Sequence, residues 1–564
     1  MHEEVKALKQ KDSISPFWII FISAFFVIFP TIGLHPLWNR DDSRRAEIAR
    51  EMVELKEYVV PHLYYVPYLE KPIFNTRMIA FSLEIFGINE WGARISLGLF
   101  AFFSVLLLFW WTRKIYGPKK ALWSSFILLT SVEFLALSHF LTTDMYLLFW
   151  ILLGFFSFQQ YLFSRNKNGE FQYPAWAALL GTLALSFSIL TKGLVGLVVV
   201  AMPLFFYLLY FREKRFLLAF PWLRAILLAF LILFPWHYAI FLKQKEFFSY
   251  FYWKMNIMAF FNKKIHHSAP WYSTFFYLLG GFMPWTLLGI LGLYHTRKNF
   301  FQRQQPESLL FFWLFFDFLF FTFSKAKLAT YIFPLLPLLA IFSISILDNN
   351  IQKWEKAVWI FQLAGIALAA CIVLPVFYFI ILPKRPLPIE SSFYIFSGMA
   401  LFMLFCGSLI CIFFAWKGTQ WKDVLYPFVL AFTIITLPLF ASLPYISKIK
   451  SSKAMCLKLQ KIWKPGDQIY IFHDRDYSAL FYLKKRIPHI GALAEIRYGA
   501  TLKPDPKYFL PYSVIPKLLS QKENRVFITM HRKDYLDKWI HKYKHLPSYL
   551  IIEEGNYLVV SNFP

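Results

Sequence analysis

Eleven consecutive residues, Leu37-Trp38-Asn39-Arg40-Asp41-Asp42-Ser43-Arg44-Arg45-Ala46-Glu47, set three carboxylates among three guanidiniums directly after the first long apolar run. Charges beside lipid are costly unless they meet water, a partner or a substrate, so this density points to a polar site at a membrane surface. Further along, Tyr68-Leu69-Glu70-Lys71-Pro72 adds an acid and a lysine. Paired carboxylates beside arginine and lysine suit phosphate handling joined to a proton acceptor or to a stabiliser of an oxocarbenium-like centre. The cations neutralise phosphate, and an Asp takes the proton of an attacking hydroxyl or orients a metal. The plainer alternative is a solvated juxtamembrane helix with internal pairs such as Arg44 with Glu47 at i, i+3.

Four later positions could join this patch. Asp144, in Leu141-Thr142-Thr143-Asp144-Met145, stands at the mouth of an apolar helix, where an N-cap role is the alternative. Lys192, in Leu190-Thr191-Lys192-Gly193, marks a turn between two apolar runs; a snorkelling lysine would look the same. His266 and His267 precede Ser268-Ala269-Pro270. Adjacent histidines diverge on a helix and do not chelate by spacing, although one could meet a carboxylate from another loop at a metal or in acid–base work. Lys325, Lys327 and Tyr331, at the start of another apolar run, suit either a lipid-linked phosphate or simple headgroup anchoring.

The elements that must position these residues are membrane helices. Of 564 residues, 58% are hydrophobic and 16% charged, and apolar runs long enough to cross a bilayer recur throughout. Runs at 17–34, 92–112, 120–138, 142–164, 174–190, 194–211, 222–242, 270–294, 308–324, 328–347, 356–382, 392–416 and 423–443 give about thirteen spans. Residues 72–87 are too interrupted to span and are expected to form an interfacial or re-entrant helix. The polar, lysine-bearing N-terminus leads into Phe17 without a small-residue cleavage pattern, so the first helix is expected to be retained.

The formal charge of +26 lies mostly in short inter-span loops, which sets topology rather than nucleic-acid binding. Clusters such as Arg113/Lys114, Arg212/Lys214/Arg215 and Arg297/Lys298/Arg303 fall on one side, expected to be cytoplasmic. Loops bearing acids and histidines fall on the other. The four cysteines give neither a disulfide framework nor a zinc site. The expected fold is therefore an all-α polytopic membrane domain over 1–446, with an outer catalytic loop at 35–91. A small α/β extracytoplasmic domain over 447–564 follows, with strand-like runs at 468–472, 525–529 and 549–553. No Walker A loop, dinucleotide-binding glycine loop or G-x-S-x-G elbow is present, so the energy for a synthetic step would have to arrive in the substrate.

At these residues the chain resembles the polyprenol-phosphate-sugar glycosyltransferases of the GT-C fold. The likeness is to the lipid A aminoarabinose transferases and their protein O-mannosyltransferase relatives. Six short motifs carry it, in order: Asp41-Asp42-Ser43-Arg44-Arg45-Ala46-Glu47, Glu70-Lys71-Pro72, Asp144, Thr191-Lys192-Gly193, His267-Ser268-Ala269-Pro270, and Lys325-Ala326-Lys327 with Tyr331. The likeness covers roughly residues 15–345. Two departures stand out: Asp42 replaces the usual Glu, and Phe74-Asn75-Thr76-Arg77 replaces an aromatic, apolar helix start.

The resemblance implies an inner-membrane enzyme with its active site facing the periplasm. It would move a sugar, with inversion, from a polyprenyl-phosphate carrier to an acceptor, lipid A first among candidates. Asp41 would be the main catalytic carboxylate, with Asp144 second and Asp42 beside them. Arg44, Lys71, Lys192, Lys325, Lys327 and Tyr331 would hold phosphates, with Glu47 and Tyr68 in support. Glu70 and His267 would be the ligands of any divalent metal. A protein O-glycosyltransferase of the same fold and a flippase or transporter are the alternatives. A flippase should carry ionisable groups at mid-span, where Asp317 is the main example.

Overall fold

The computed structural model describes residues 15–165, 170–262, 269–347, 352–376, 391–417, 421–473 and 475–564. Nine helices among the described residues are long and apolar enough to cross a membrane, and a bent pair makes a tenth. The chain is a multi-pass membrane protein.

The apolar runs read from the sequence coincide with helix where they fall on described residues, but nine of these helices, or ten with the bent pair, are span-length, where about thirteen spans were expected. The run at 120–138 breaks into Pro118–Leu129 and Val132–Leu137. At the break the Thr130 hydroxyl turns back to the Phe126 carbonyl (2.6 Å) and accepts the Trp285 indole N–H (2.9 Å). The run at 270–294 bends by 104° between Ser273–Gly281 and the helix from Thr286, around Pro284, which has no amide to continue the ladder. The first run and Leu194–Tyr210 form shorter apolar helices.

The helices that frame the site are α1 (Ser15–Ile28), α2 (Asp41–Leu55), α3 (Phe74–Phe86), α4 (Glu90–Tyr116), α5 (Thr143–Phe163), α6 (Ala175–Lys192), α7 (Pro306–Phe323), α8 (Trp421–Lys450) and α9 (Tyr477–Leu483). Helix α2 is polar yet largely buried, and it tolerates this because its charges are paired. Arg50 meets both oxygens of Glu47 at 2.7 Å and also reaches Glu54. Arg44 pairs with Asp41, one turn back, and not with Glu47. Asp41 and Asp42 occupy the first turn, where the helix dipole favours negative charge.

A two-residue hairpin follows, β1 (His62–Leu63) against β2 (Val66–Pro67), with Tyr64 and Tyr65 both at positive φ (56° and 61°). Such a turn usually takes Asn or Gly. Here the buried Glu51 carboxylate accepts both tyrosine amides at 2.8 Å and holds the strained pair. Glu51→Ala is expected to lose about 1–3 kcal/mol through those orphaned amides, read as a lower thermal midpoint in detergent.

Residues 72–87 form the short helix α3. Phe74, in the segment that departs from the aromatic pattern, packs its ring against Phe100, Trp150 and Phe187, and Arg77 ties back to the Tyr58 carbonyl (2.8 Å).

Helix α8 runs to Lys450, and from Lys453 the chain builds a six-stranded mixed sheet in the order β5-β4-β3-β6-β8-β7. Here β3 is Gln468–Phe472, β4 His489–Ile490, β5 Phe509–Leu510, β6 Val526–His531, β7 Tyr549–Glu554 and β8 Tyr557–Ser561. This sheet does not stand apart. Ile48, Leu63, Tyr64, Val66 and Tyr68 share one buried apolar cluster with Met455, Leu459, Ile469 and Tyr477. Helix α2 and the hairpin thus form the floor on which the α/β domain sits.

Candidate active site

The starts of α2 and α5, the segment 68–71, the end of α6 and the segment 328–331 after α7 meet at one end of the helical bundle. They enclose a cavity of about 650 Å³ lined by Arg40, Asp41, Arg44, Arg45, Tyr68, Glu70, Lys71, Asp144, Lys192 and Tyr331, with Arg475 and Glu495 from the α/β domain. The basic clusters expected on the other side meet at the opposite end, where Arg303 pairs with Glu213 (2.7 Å) and Arg165 reaches Gln304 (2.6 Å).

Asp41 is the open carboxylate of the cavity: its side chain is 67% exposed, against 9% for Asp144. The surrounding protein wall pulls its pKa up, but the Arg44 and Arg45 guanidiniums and Lys71 outweigh this and hold it below the usual carboxylate value. It therefore stays ionised at neutral pH. Asp144, in the first turn of α5, is engaged by Lys192, whose ammonium also lies 4.7 Å from the Tyr331 ring centre. Lys192 and Tyr331 are in the cavity as expected, but Lys192 already has a counter-ion.

Two cations form no such contact pair. Lys71 and the buried Arg45 line the cavity, and neither has a hydrogen-bonding partner among the described residues. Burial lowers the Lys71 pKa to about 8, with Arg45 and Lys192 adding to the shift. Glu70 accepts the Tyr68 hydroxyl (3.0 Å), and burial raises its pKa against the opposing pull of Arg44. Beyond the polar chamber an apolar arm opens, lined by Phe251, Phe260, Phe320 and Phe321. Lys71, Lys192, Met255 and Tyr331 stand on the boundary between the two.

Several expected site residues lie elsewhere. Asp42, expected beside the catalytic carboxylates, does not line the cavity: it is buried, and both oxygens meet Arg94 at 3.3 and 2.5 Å. It also accepts the amides of Trp38 (3.0 Å) and Leu141 (2.9 Å). That second bond draws the loop bearing Asp144 toward the start of α2, so Asp42 is a clamp between two walls of the site. Lys327 does not face a ligand either, because its ammonium donates to the carbonyls of Phe321, Thr322 and Ser324 at 2.6–3.0 Å and closes the end of α7. Lys325 is exposed and outside the cavity lining. Glu47 is paired with Arg50 below the cavity, and Tyr68 lies in the wall. His267 lies outside the described residues. Asp317, buried within α7, accepts the Trp313 indole N–H (2.8 Å).

Besides Arg45, sequence reasoning missed three groups. Arg94 had a signal, being an arginine inside an apolar run; its guanidinium is fully buried and also donates to the Ile32, His35 and Pro36 carbonyls at 2.7–3.1 Å. Arg475 and Glu495 had none, since they lie more than 400 residues from Asp41 along the chain. Glu495 takes Arg44 (2.5 Å), Arg475 (2.9 Å) and the Tyr477 hydroxyl (2.9 Å), linking the α/β domain to the start of α2.

Comparison with known proteins agrees with this geometry. Residues 18–251 match the family Dolichyl-phosphate-mannose-protein mannosyltransferase. An undecaprenyl phosphate-alpha-4-amino-4-deoxy-L-arabinose arabinosyl transferase of Aeromonas hydrophila is 33% identical over 365 residues, which is 63% of this chain and 64% of that relative. The chain thus matches just under two thirds of that protein's length. A transferase of the same name from Shewanella sediminis is 24% identical over 91% of this chain and 93% of its own. The crystal structure of ArnT from Cupriavidus metallidurans bound to undecaprenyl phosphate superposes with a TM-score of 0.81 at 22% identity, covering 96% of this chain and 97% of that one. The chain therefore shares the fold of that structure over 96% of its length.

Proposed function

We propose that this chain is a membrane glycosyltransferase that transfers a sugar, with inversion, from an undecaprenyl-phosphate carrier to lipid A on the periplasmic face of the inner membrane. The observation that carries this reading is the pair Arg45 and Lys71: two cations lining a cavity beside Asp41 and Glu70, neither in a hydrogen bond or contact ion pair among the described residues. Cations crowded together in this way favour a further anion, and a donor phosphate supplies it. The adjoining aromatic arm is suited to the first isoprene units of the carrier. The names and fold of the similar proteins point the same way.

In the reaction the bond between the anomeric carbon and the carrier phosphate oxygen breaks. The electron pair leaves with the phosphate, whose growing charge Arg45 and Lys71 neutralise. An acceptor oxygen forms the new bond from the opposite face, and Asp41 is placed to take its proton or to oppose the positive charge on the sugar. A carboxylate with a lowered pKa is a weak base for an ordinary hydroxyl. It is adequate for an oxygen that is already acidic, such as that of a phosphate, which favours a phosphorylated lipid over a protein hydroxyl. Asp144 and Lys192 form the second wall and orient the acceptor. A divalent ion at Glu70 would compete with Lys71 and Arg44 for the same carboxylate, and no step needs one.

Mass spectrometry of lipid A and envelope proteins from cells with and without the gene tests the proposal: a sugar-sized mass must disappear from lipid A. If it disappears from a protein instead, the acceptor is a protein hydroxyl.

A pH dependence follows from Lys71. Its ammonium is present below about pH 8 in the empty site and is lost as pH rises through that value. The kcat/KM for donor is therefore expected to fall above about pH 8, since this ratio titrates the free enzyme. In Lys71→Arg the fall is expected to vanish, because a guanidinium keeps its charge. An unchanged profile in that variant would assign the titration to another group.

A further inference from the structure

Three walls around the cavity meet the α/β domain at one short run of its chain. Glu495 takes Arg44, the partner of Asp41. Three residues on, Tyr498 lies face to face with Tyr250, their ring centres 3.8 Å apart and the planes 4° from parallel. Gly499 abuts the Pro67 carbonyl just ahead of Tyr68–Lys71, so closely that a Cβ would come within 2.2 Å of that oxygen. Resting on the reading above, we infer that Tyr498 is a positioning residue for the carrier. Its stack on Tyr250 sets the outer wall of the apolar arm, so the α/β domain acts on carrier binding without touching the carrier.

That wall is the helical segment Phe248–Met258, from which Phe251, Met255 and Asn256 line the arm. Trp253, Ile257 and Met258 of the same segment are exposed, whereas Tyr250 and Phe251 are buried. The Phe251 ring fits over Gly193, where φ is +68° and a Cβ would stand 2.6 Å from the ring. Only glycine serves there, and it brings Phe251 to the residue that follows Lys192 in the chain. Tyr250, the next residue back, meets Tyr498 instead. Other ties are at Tyr252, whose hydroxyl meets His237 Nε2 (2.6 Å), and at Phe260, whose carbonyl accepts the Lys325 amide (2.8 Å).

A segment with so much exposed surface is not held in place by its own core. Stacked aromatic rings and the area they bury favour one position for it. Without the stack the segment samples other positions, and the apparent affinity of the arm falls with the fraction of molecules in the right one. The strut itself is firmly seated. Tyr498 and Leu502 pack on the apolar cluster of the membrane helices, and Glu495 and Gly499 fix the run on either side of Tyr498. Tyr498 lines neither the arm nor the polar cavity, so its effect must pass through Tyr250.

The test measures binding of undecaprenyl phosphate to full-length protein in detergent. Tyr498→Ala is expected to weaken it about tenfold, the loss when the segment is correctly placed about a tenth of the time. Its melting temperature should match that of the parent, which separates the effect from unfolding. Tyr498→Phe should bind as the parent does, because the stack needs the ring and not the hydroxyl. Tyr250→Ala should reproduce the loss, and the double alanine variant should bind no more weakly than either single one, as two residues acting through one contact require. Inorganic phosphate has no isoprene to place in the arm, so it should bind parent and Tyr498→Ala equally. In steady state the donor KM should rise in Tyr498→Ala while kcat holds. Parent-like carrier affinity in Tyr498→Ala, additive losses in the double variant, or an equal loss of inorganic phosphate binding would overturn the inference. A parent protein that binds no undecaprenyl phosphate would instead overturn the reading on which it rests.

Discussion

Asp41→Asn is expected to reduce transfer by about 10²–10⁴-fold, the range for loss of a positioned proton acceptor, while donor affinity holds or improves. The amide keeps the shape of the side chain but removes both the base and the negative charge facing the sugar. It also frees Arg44, now shared between Asp41 and Glu495, so a phosphate in the cavity gains a cation. A fall in kcat with an unchanged or lower donor KM is the signature to look for in steady-state assays. Equal loss of donor binding would mean that Asp41 holds the site together rather than acting in the reaction.

Asp42→Ala is expected to act on the fold instead. It leaves the buried Arg94 guanidinium without its carboxylate and orphans the Leu141 amide. Removing one partner of a buried ion pair costs about 3–5 kcal/mol, because the other charge stays desolvated. The expected readout is a large drop in thermal midpoint and in the yield of monodisperse protein, with activity lost in proportion. The contrast between adjacent aspartates is diagnostic: Asp41 variants should be stable and inactive, Asp42 variants unstable. A stable, inactive Asp42→Ala protein would return Asp42 to the catalytic group.

The placement of the helices was legible because apolar length and loop charge are strong local signals, and the runs at Glu90–Tyr116 and Ser391–Lys417 left little ambiguity. The breaks were less so. Thr130 and Pro284 interrupt their runs through contacts and a missing amide that hydropathy averages away. Within the site, Asp41, Lys71, Asp144, Lys192 and Tyr331 were found because each sits where an apolar run meets polar residues.

The errors have one source. The ligand of a charged side chain is a three-dimensional fact. Lys327 looked like a phosphate clamp but closes a helix end, since α7 stops at Phe323 within reach of its ammonium. Arg45 was passed over beside Arg44, although successive helical residues point about 100° apart. Both reach the cavity, but only Arg44 meets the α/β domain there, through Glu495. The part played by that domain could not be read at all, because Glu495 and Asn39 gain their roles only when the two ends of the chain meet.

The most direct test of the account is the carrier dissociation constant of Arg45→Gln/Lys71→Met, measured by titrating undecaprenyl phosphate into detergent-solubilised protein. Each lost charge-assisted contact is worth about 1.5–3 kcal/mol, so affinity should weaken by about a hundredfold or more with no change in melting temperature. Carrier affinity equal to that of the parent would contradict the claim that these two cations are the phosphate site.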